Sequence, residues 1–284
     1  MAPAALIPLR GLPVRLRRES RDKQTMKSEL QALLFDVDGT LADTEEVHRQ
    51  AYNAAFRAAG LDWVWSVERY HQLLSVCGGR ERIHHYLQQQ GRLSELPPDP
   101  DAYIAGLHAE KTSIYVDMLT TGRVPLRPGV ERLIREAHGN GLRLAIVTTT
   151  TPANVSALFK NSFGEHEDDW FEVVAAGSIV PRKKPAPDIY HHVLEKMALP
   201  AAACLAIEDS VNGLKAARAA GVEVLITVNR YTQGQDFSDA AVVLDHLGEP
   251  DSPCHMLRGC LQPGPLVDTE YLRHLHATCQ GGRR

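Results

Sequence analysis

Short apolar runs alternate with helix-period stretches along most of this chain, and no other feature of the sequence limits the fold so strongly. QALLFDV (31–37), LRLAIVT (142–148), FEVVAAG (171–177), CLAIED (204–209) and VEVLITV (222–228) read as strands, and patterns such as VERLIREAHGNG and VNGLKAARAAG lie between them. Near-continuous apolar strands spaced by helices belong to an α/β fold with a parallel, doubly wound sheet, in which helices cover both faces. Both helical patterns end in a glycine, Gly141 and Gly221, where the left-handed stop of a helix is wanted. Ligands in such sheets collect at the carboxyl ends of the strands, so the residues just after each run are the candidates for chemistry.

One interruption breaks the alternation. Between the first and second strands lie roughly a hundred residues with helix-period patterns, including EEVHRQAYNAAFRAAG and DAYIAGLHAEKTSIYVDML, far more than the ~10–15 residues of a βαβ crossover. A separate helical module over 45–125 is expected, with the chain returning at LRPGV (126–130). The expected organisation is therefore a tail over 1–28, a Rossmann-like core from 29–44 and 126–250, a helical cap over 45–125, and a C-terminal extension over 251–284.

Bulk properties exclude several classes. The 284 residues are 44% hydrophobic and 23% charged with a formal charge of −4, so no basic field points to nucleic acid. The longest apolar runs are strand-sized, and no membrane partner is expected. Cys77, Cys204, Cys254, Cys260 and Cys279 are scattered without a CxxC pair, which indicates neither a disulfide framework nor a zinc site and fits a reducing cytoplasm. Residues 1–28 are rich in Arg and Pro without sustained period and read as a disordered tail. Two alternatives stand beside that reading: a transit peptide, which would place the protein in a plastid, and a true start at Met26. A monomer is expected.

FDVDGTLADTEE (35–46) crowds five carboxylates into twelve residues directly behind the first strand. Like charges this close mark either a solvated loop or a cation site. Collecting the strand ends decides between them. Asp36 and Asp38 follow the first run, Thr148 the second, Lys184 of RKKPAPD the third, and Glu208 with Asp209 the fourth. Carboxylates gathered from different strands, with a hydroxyl and an ammonium, form an oxygen-rich nest for a hard cation. Mg²⁺ takes a few carboxylates while keeping waters and a substrate phosphate.

Four motifs in order, DVDGT (36–40), the Thr of VTTTT (147–151), Lys184 of KKP and EDS (208–210), resemble those of the haloacid dehalogenase superfamily of phosphotransferases, over about residues 31–245. Asp36 would attack phosphorus to form an aspartyl-phosphate, and Asp38 would protonate the leaving alkoxide and then deprotonate water. The resemblance implies Mg²⁺ held by the Asp36 carboxylate, the Asp38 main-chain carbonyl and Asp209, with Glu208 near through water or a hydrogen bond. Thr148 and Lys184 would hold the transferring phosphoryl group. Lys183 reads as a solvated neighbour, Asp188 as a helix cap, the His84/His85 and His191/His192 pairs as surface, and Trp63 and Trp65 as core of the helical module.

The insertion follows the first strand as in the branch containing β-phosphoglucomutase and the small-sugar phosphatases. LADTEEVHRQAYNAAF, GLDWVWS, CGGRERI and VTTTTPANVSAL together look like the CbbY-type proteins. That likeness implies removal of the 1-phosphate from xylulose-1,5-bisphosphate, an inhibitor of the carbon-fixing enzyme of the Calvin cycle. A substrate with two phosphates demands a second anion site. The candidates are Gly78, Gly79, Arg80, Glu81 and Arg82 of CGGRERI, and His108 with Lys111, three apart and so on one helix face. Thr149, Thr150 and Asn154 are candidate contacts from the core. Asp43 stands where the likeness puts a sugar-binding carboxylate, although related chains more often carry Glu there. A phosphosugar mutase, a broad monophosphate phosphatase and a phosphometabolite sensor without turnover are the competing functions.

Overall fold

The computed structural model describes residues 29–122, 124–163, 170–259 and 261–281. The expectations for residues 1–28 lie outside these. Strand β1 (Ala32–Phe35) is buried on both faces and sits in the middle of a seven-stranded sheet. Its parallel neighbours are β2 (Arg143–Val147) and β4 (Cys204–Glu208), and beyond β2 lies β3 (Phe171–Ala175). On the other side β4 pairs with β5 (Glu223–Thr227), β5 with β6 (Val242–Leu244), and β6 with the antiparallel edge strand β7 (Met256–Gly259). The five expected strands are all present. Strands β6 and β7 are additions, and through β7 the stretch over 251–284 joins the sheet.

The register aligns strand ends. Phe35 stands opposite Ile146 on β2 and Ile207 on β4, so the residues after each emerge side by side at one edge. Apolar residues above and below the sheet form two clusters. One gathers Leu33, Phe35, Ile146 and Ile207 with helix α5 (Val130–Gly139) and helix α9 (Thr269–Gly281). The other gathers Leu34, Ala145 and Ala206 with α7 (Asp188–Met197) and α8 (Val211–Ala219). Gly141 and Gly221 both carry positive φ just beyond α5 and α8, as the pattern expects.

A third cluster belongs to the insertion. Helices α1 (Glu45–Ala58), α2 (Val67–Leu73), α3 (Gly79–Gln90) and α4 (Pro100–Thr121) enclose Tyr52, Phe56, Trp63, Trp65, Tyr70 and Tyr86, with Trp65 fully buried. Each such ring is worth roughly 1.5–3 kcal/mol of burial. Helix α4 starts at an Asp99 cap that accepts from Ala102 N–H at 3.0 Å, with Pro100 at its first position. At 22 residues α4 runs about 33 Å. Ile104 and Leu107 pack in the aromatic cluster while Tyr115 and Leu119 pack in the main core, so α4 roots the insertion in the sheet.

The returning linker is tied down by one side chain. The buried Arg127 guanidinium donates to Gly39 O at 2.6 Å, Thr227 O at 3.1 Å, Val228 O at 2.5 Å and Asp245 O at 2.7 Å. It thereby joins the loop after β1 to the ends of β5 and β6. Asp188, expected to cap α7, instead lies inside its first turn and pairs with Arg182 at 2.8 Å, while Pro187 holds the cap position.

Candidate active site

At the carboxyl edge of the sheet, Lys184 Nζ lies 2.7 Å from Asp36 Oδ1, 2.6 Å from Glu208 Oε1 and 2.7 Å from Val147 O. One ammonium thus touches residues from the ends of β1, β2 and β4. Tyr190 OH donates to the same Glu208 oxygen at 2.6 Å, fixing that carboxylate from below. Thr148 is buried beside this cluster and its hydroxyl accepts from Thr150 N–H at 3.2 Å. Thr151 and Ser210 cap the following helices, α6 (Pro152–Ser162) and α8, by accepting from Asn154 and Gly213 N–H. These caps end the two motif loops and fix where their neighbours stand.

Asp36, Glu208 and Asp209 offer carboxylate oxygens within 4.8 Å of one another. Burial pushes Asp36 up to about 8, with Lys184 opposing and Glu208 adding. Burial and the charges of Asp36 and Glu208 push Asp209 well above the usual carboxylate range. Burial works against the Lys184 ammonium too, yet Asp36 and Glu208 outweigh it and raise its pKa. The two halves of the ion pair thus pull in opposite senses, and the 2.7 Å contact favours the ionised pair with further positive charge sharing the load. Glu208 Oε2 is buried without a hydrogen-bond partner. Three hard oxygen donors, an orphaned carboxylate oxygen and more negative charge than one ammonium neutralises fit a small divalent cation such as Mg²⁺.

Gly39 explains the tightness of the turn. Its φ is +81°, and a Cβ there would stand 2.3 Å from Asp209 Oδ2 and 2.5 Å from Asn229 Nδ2. Asn229 in turn donates to Asp209 at 2.6 Å. Any side chain at position 39 would push Asp209 out of the cluster.

Asp38 faces the insertion. Its Oδ1 accepts from Thr44 Oγ1 at 2.6 Å and lies 3.0 Å from His48 Nε2, and His48 Nδ1 is 2.6 Å from Lys111 Nζ. Burial pushes the Asp38 carboxyl up, but His48 and Thr44 outweigh it and hold it well below the usual range. Burial lowers His48, with Lys111 assisting, and burial lowers Lys111 to about 7. The arrangement consistent with all three is a neutral imidazole that accepts from Lys111 on Nδ1 and donates to Asp38 from Nε2. His48 also stacks on Tyr115 at 4.0 Å between centroids.

Between insertion and core lies a cavity of about 360 Å³ that opens beside Asp38. Its insertion wall carries Gly78, Gly79, Arg80, Glu81, Arg82, His108 and Lys111, and its core wall Thr149, Thr150 and Asn154. Lys111 is 3% exposed, between the rings of Tyr52 and Tyr115 at 4.8 Å each, and not on a solvated face. Burial first, then Lys111, Arg80 and Lys183, push His108 down to about 4, a sign of how positive this wall is. Arg82 spends its guanidinium on Leu73 O, Val76 O and Tyr70 OH at 3.1–3.3 Å, so it braces the start of α3. Asn154 donates to Thr150 Oγ1 at 2.9 Å and keeps a buried, unpartnered Oδ1.

Asp43 is the exception among the expected contacts. Its side chain is 68% exposed, pairs with Arg127 at 3.3 Å and is absent from the cavity wall. Lys183, expected in solvent, instead lines the cavity and pairs with Glu81 at 2.6 Å. His48, Tyr52 and Glu45 also line it and were missed. Their signal was present in EEVHRQAY, where His48 and Tyr52 are four apart and share a helix face. Nothing local distinguishes that face from an ordinary core stripe.

Comparison with known proteins places this geometry. Residues 30–221 match the haloacid dehalogenase-like hydrolase family. Protein CbbY of Rhodobacter capsulatus is 54% identical over 212 residues, covering 75% of this chain and 91% of the relative. CbbY of Rhodobacter sphaeroides, solved as a mutant in complex with xylulose-(1,5)bisphosphate, superposes with a TM-score of 0.71 at 42% identity, over 76% of this chain and 94% of that one. A β-phosphoglucomutase from Clostridium difficile shares the fold at a TM-score of 0.67 and 17% identity, covering 88% of this chain and 98% of that one. No helix among the described residues is long and apolar enough to cross a membrane. With four motifs converging on one buried cluster, a family match over most of the chain and relatives this similar, the chain belongs to the haloacid dehalogenase-like hydrolases, as an enzyme of their CbbY-type phosphatase branch.

Proposed function

We propose that this phosphatase removes the 1-phosphate of xylulose-1,5-bisphosphate through an aspartyl-phosphate on Asp36. The observation that carries the reading is the pairing of two features: a buried Asp36–Lys184–Glu208 cluster, and a cavity whose opposite wall holds Arg80, His108 and Lys111. A bisphosphate has one phosphate for each. The CbbY relative crystallised with xylulose-(1,5)bisphosphate supports the choice of substrate.

Lys184 engages Asp36 Oδ1, which leaves Oδ2, approached by Thr40 at 3.4 Å, as the attacking oxygen. It displaces the sugar oxygen at phosphorus. The negative substrate beside Asp38 raises that carboxylate's proton affinity, so Asp38 takes up a proton on binding and gives it to the departing oxygen as the P–O bond to the sugar breaks. Water then attacks the aspartyl-phosphate, its proton passes to Asp38, and phosphate leaves with Asp36 restored. Thr148 and Lys184 stabilise the charge on the transferring oxygens. The carboxylates of Asp36 and Asp209 and the main chain of Asp38 would hold Mg²⁺, with Glu208 alongside. That ion would supply charge neutralisation at the phosphoryl group. The helical insertion over 45–125 acts as the cap that chooses the substrate.

Phosphate release from a panel of mono- and bisphosphates, with and without Mg²⁺ and without any phosphorylated activator, tests the reading. Release from xylulose-1,5-bisphosphate well above the monophosphates, only with Mg²⁺, is expected. Isomerisation without net phosphate release would replace it with a mutase, and equal rates across the panel with a broad monophosphate phosphatase.

A further inference from the structure

Lys183 and Glu81 stand 102 residues apart in sequence and meet across the gap between core and insertion, Nζ to Oε1 at 2.6 Å. Their side chains are 16% and 46% exposed, and both line the cavity. Other contacts cross the same gap, among them Asp38 Oδ1 to His48 Nε2 at 3.0 Å, Asn212 Nδ2 to Ser75 O at 3.1 Å, and Tyr231 OH to Glu46 Oε2 at 2.9 Å. With His48 neutral, none of these three joins two full charges. Lys183 directly precedes Lys184, and Glu81 sits in the first turn of α3 directly after Arg80.

The backbone makes room for this pair. Gly78 has a φ of +92°, and a Cβ there would meet Glu81 Oε2 at 2.2 Å and Lys183 Nζ at 2.6 Å. A carboxylate in a wall that must receive a phosphate is otherwise unfavourable, because like charges at close range repel. Burial pushes Glu81 up, yet the hydrogen bond and charge of Lys183, together with a main-chain hydrogen bond at the helix start, outweigh it and hold the carboxyl below its usual range.

Resting on the function proposed above and deepening it, we propose that Lys183 is a positioning and specificity-determining residue. It clamps the first turn of α3 over the site through Glu81 and neutralises the carboxylate next to Arg80, so the wall presents net positive charge to the distal phosphate. The loop holding the reacting phosphoryl group and the wall reading the other phosphate are thus joined by one ion pair.

The test is a double-mutant cycle with Lys183→Met, Glu81→Gln and the double variant, each with Mg²⁺. Two quantities are measured: kcat and KM for xylulose-1,5-bisphosphate, and amide hydrogen exchange over residues 79–82 in the substrate-free protein. Lys183→Met should raise KM about three- to tenfold, with kcat changed much less, as for a partly buried charge contact. Exchange over 79–82 should quicken in both single variants, and no further in the double. The added Glu81→Gln should recover part of the KM loss, because it removes the carboxylate left unpaired. Additive effects in the cycle, or unchanged exchange and KM in Lys183→Met, overturn the proposal. Should wild type release no phosphate from the bisphosphate, the proposed substrate fails, and the exchange cycle still decides whether the clamp exists.

Discussion

The two sides of the site are built on opposite plans. On the core side, behind the cavity's core wall, Asp36, Thr148, Lys184, Glu208 and Asp209 are all buried at the strand ends, where hydrogen bonds tie Asp36, Lys184 and Glu208 together. On the insertion side Arg80 is exposed, His108 half-buried and Glu81 exposed, and the wall is assembled from three helices and a turn. A parallel sheet delivers side chains to one edge with a register set by main-chain hydrogen bonds, so chemistry that tolerates no displacement belongs there. Recognition needs charge in the right region and tolerates a looser frame. The difference teaches which variants should be fatal and which should only change preference.

The sharpest way to break this division is at the core wall. Asp36→Asn should abolish turnover, and chelation of the divalent ion should stop the wild type to a similar depth, the two losses not adding because nucleophile and ion act as a unit. Single-turnover phosphate release checks both, and appreciable turnover by the Asn variant would end the aspartyl-phosphate reading. Next, Asp38→Asn should cost about 10²–10⁴ in kcat by removing proton transfer. A loss below tenfold would mean another group carries the proton.

Smaller effects are expected across the cavity. Arg80→Ala should lower kcat/KM for the bisphosphate by about ten- to a hundredfold, the loss of one charge-assisted bond of roughly 1.5–3 kcal/mol. A small monophosphate should barely respond. Equal losses on both substrates would erase the distinction between the walls. Smallest of all, Asp43→Ala should shift stability by no more than about 0.5 kcal/mol and leave kcat/KM within about twofold, since its carboxylate is a mostly exposed partner of Arg127. A tenfold fall would put Asp43 back in the site.

The same contrast decides what the sequence could disclose. Strands β1 to β5 announce themselves because buried parallel strands are apolar throughout, and the site follows because each motif stands just after one of them. Strand β6 has three residues and no helix before it, so neither length nor alternation marks it. Strand β7 is an exposed edge whose composition reads as loop. Lys183, on the core side, looks solvated because its partner Glu81 is remote in sequence, while Lys111 in the insertion is marked by its helix face but not as a buried group, because a lysine on a helix is normally outside. Its burial is made possible by His48, Tyr52 and Tyr115, which only the folded helix pair brings together. Asp43 fails for the converse reason, since the motif fixes its place along the chain while Arg127, from the returning linker, occupies its carboxylate.

Lys184 carries a consequence for how such an enzyme can change over time. Its ammonium binds a main-chain carbonyl of β2 as well as carboxylates following β1 and ending β4, so it fastens three neighbouring strands at the end where the sheet would otherwise splay. Removing it leaves two buried carboxylates facing each other, a loss of the 3–5 kcal/mol kind that follows when one member of a buried ionic set is deleted. A lineage that drifted at this position would give up a large share of a typical folding stability together with the reaction, so an inactive descendant of undiminished stability is not reached through a change at Lys184 alone. Loss of activity at full stability begins elsewhere, and the loosely framed wall opposite is where new substrate preferences can be tried without endangering the sheet.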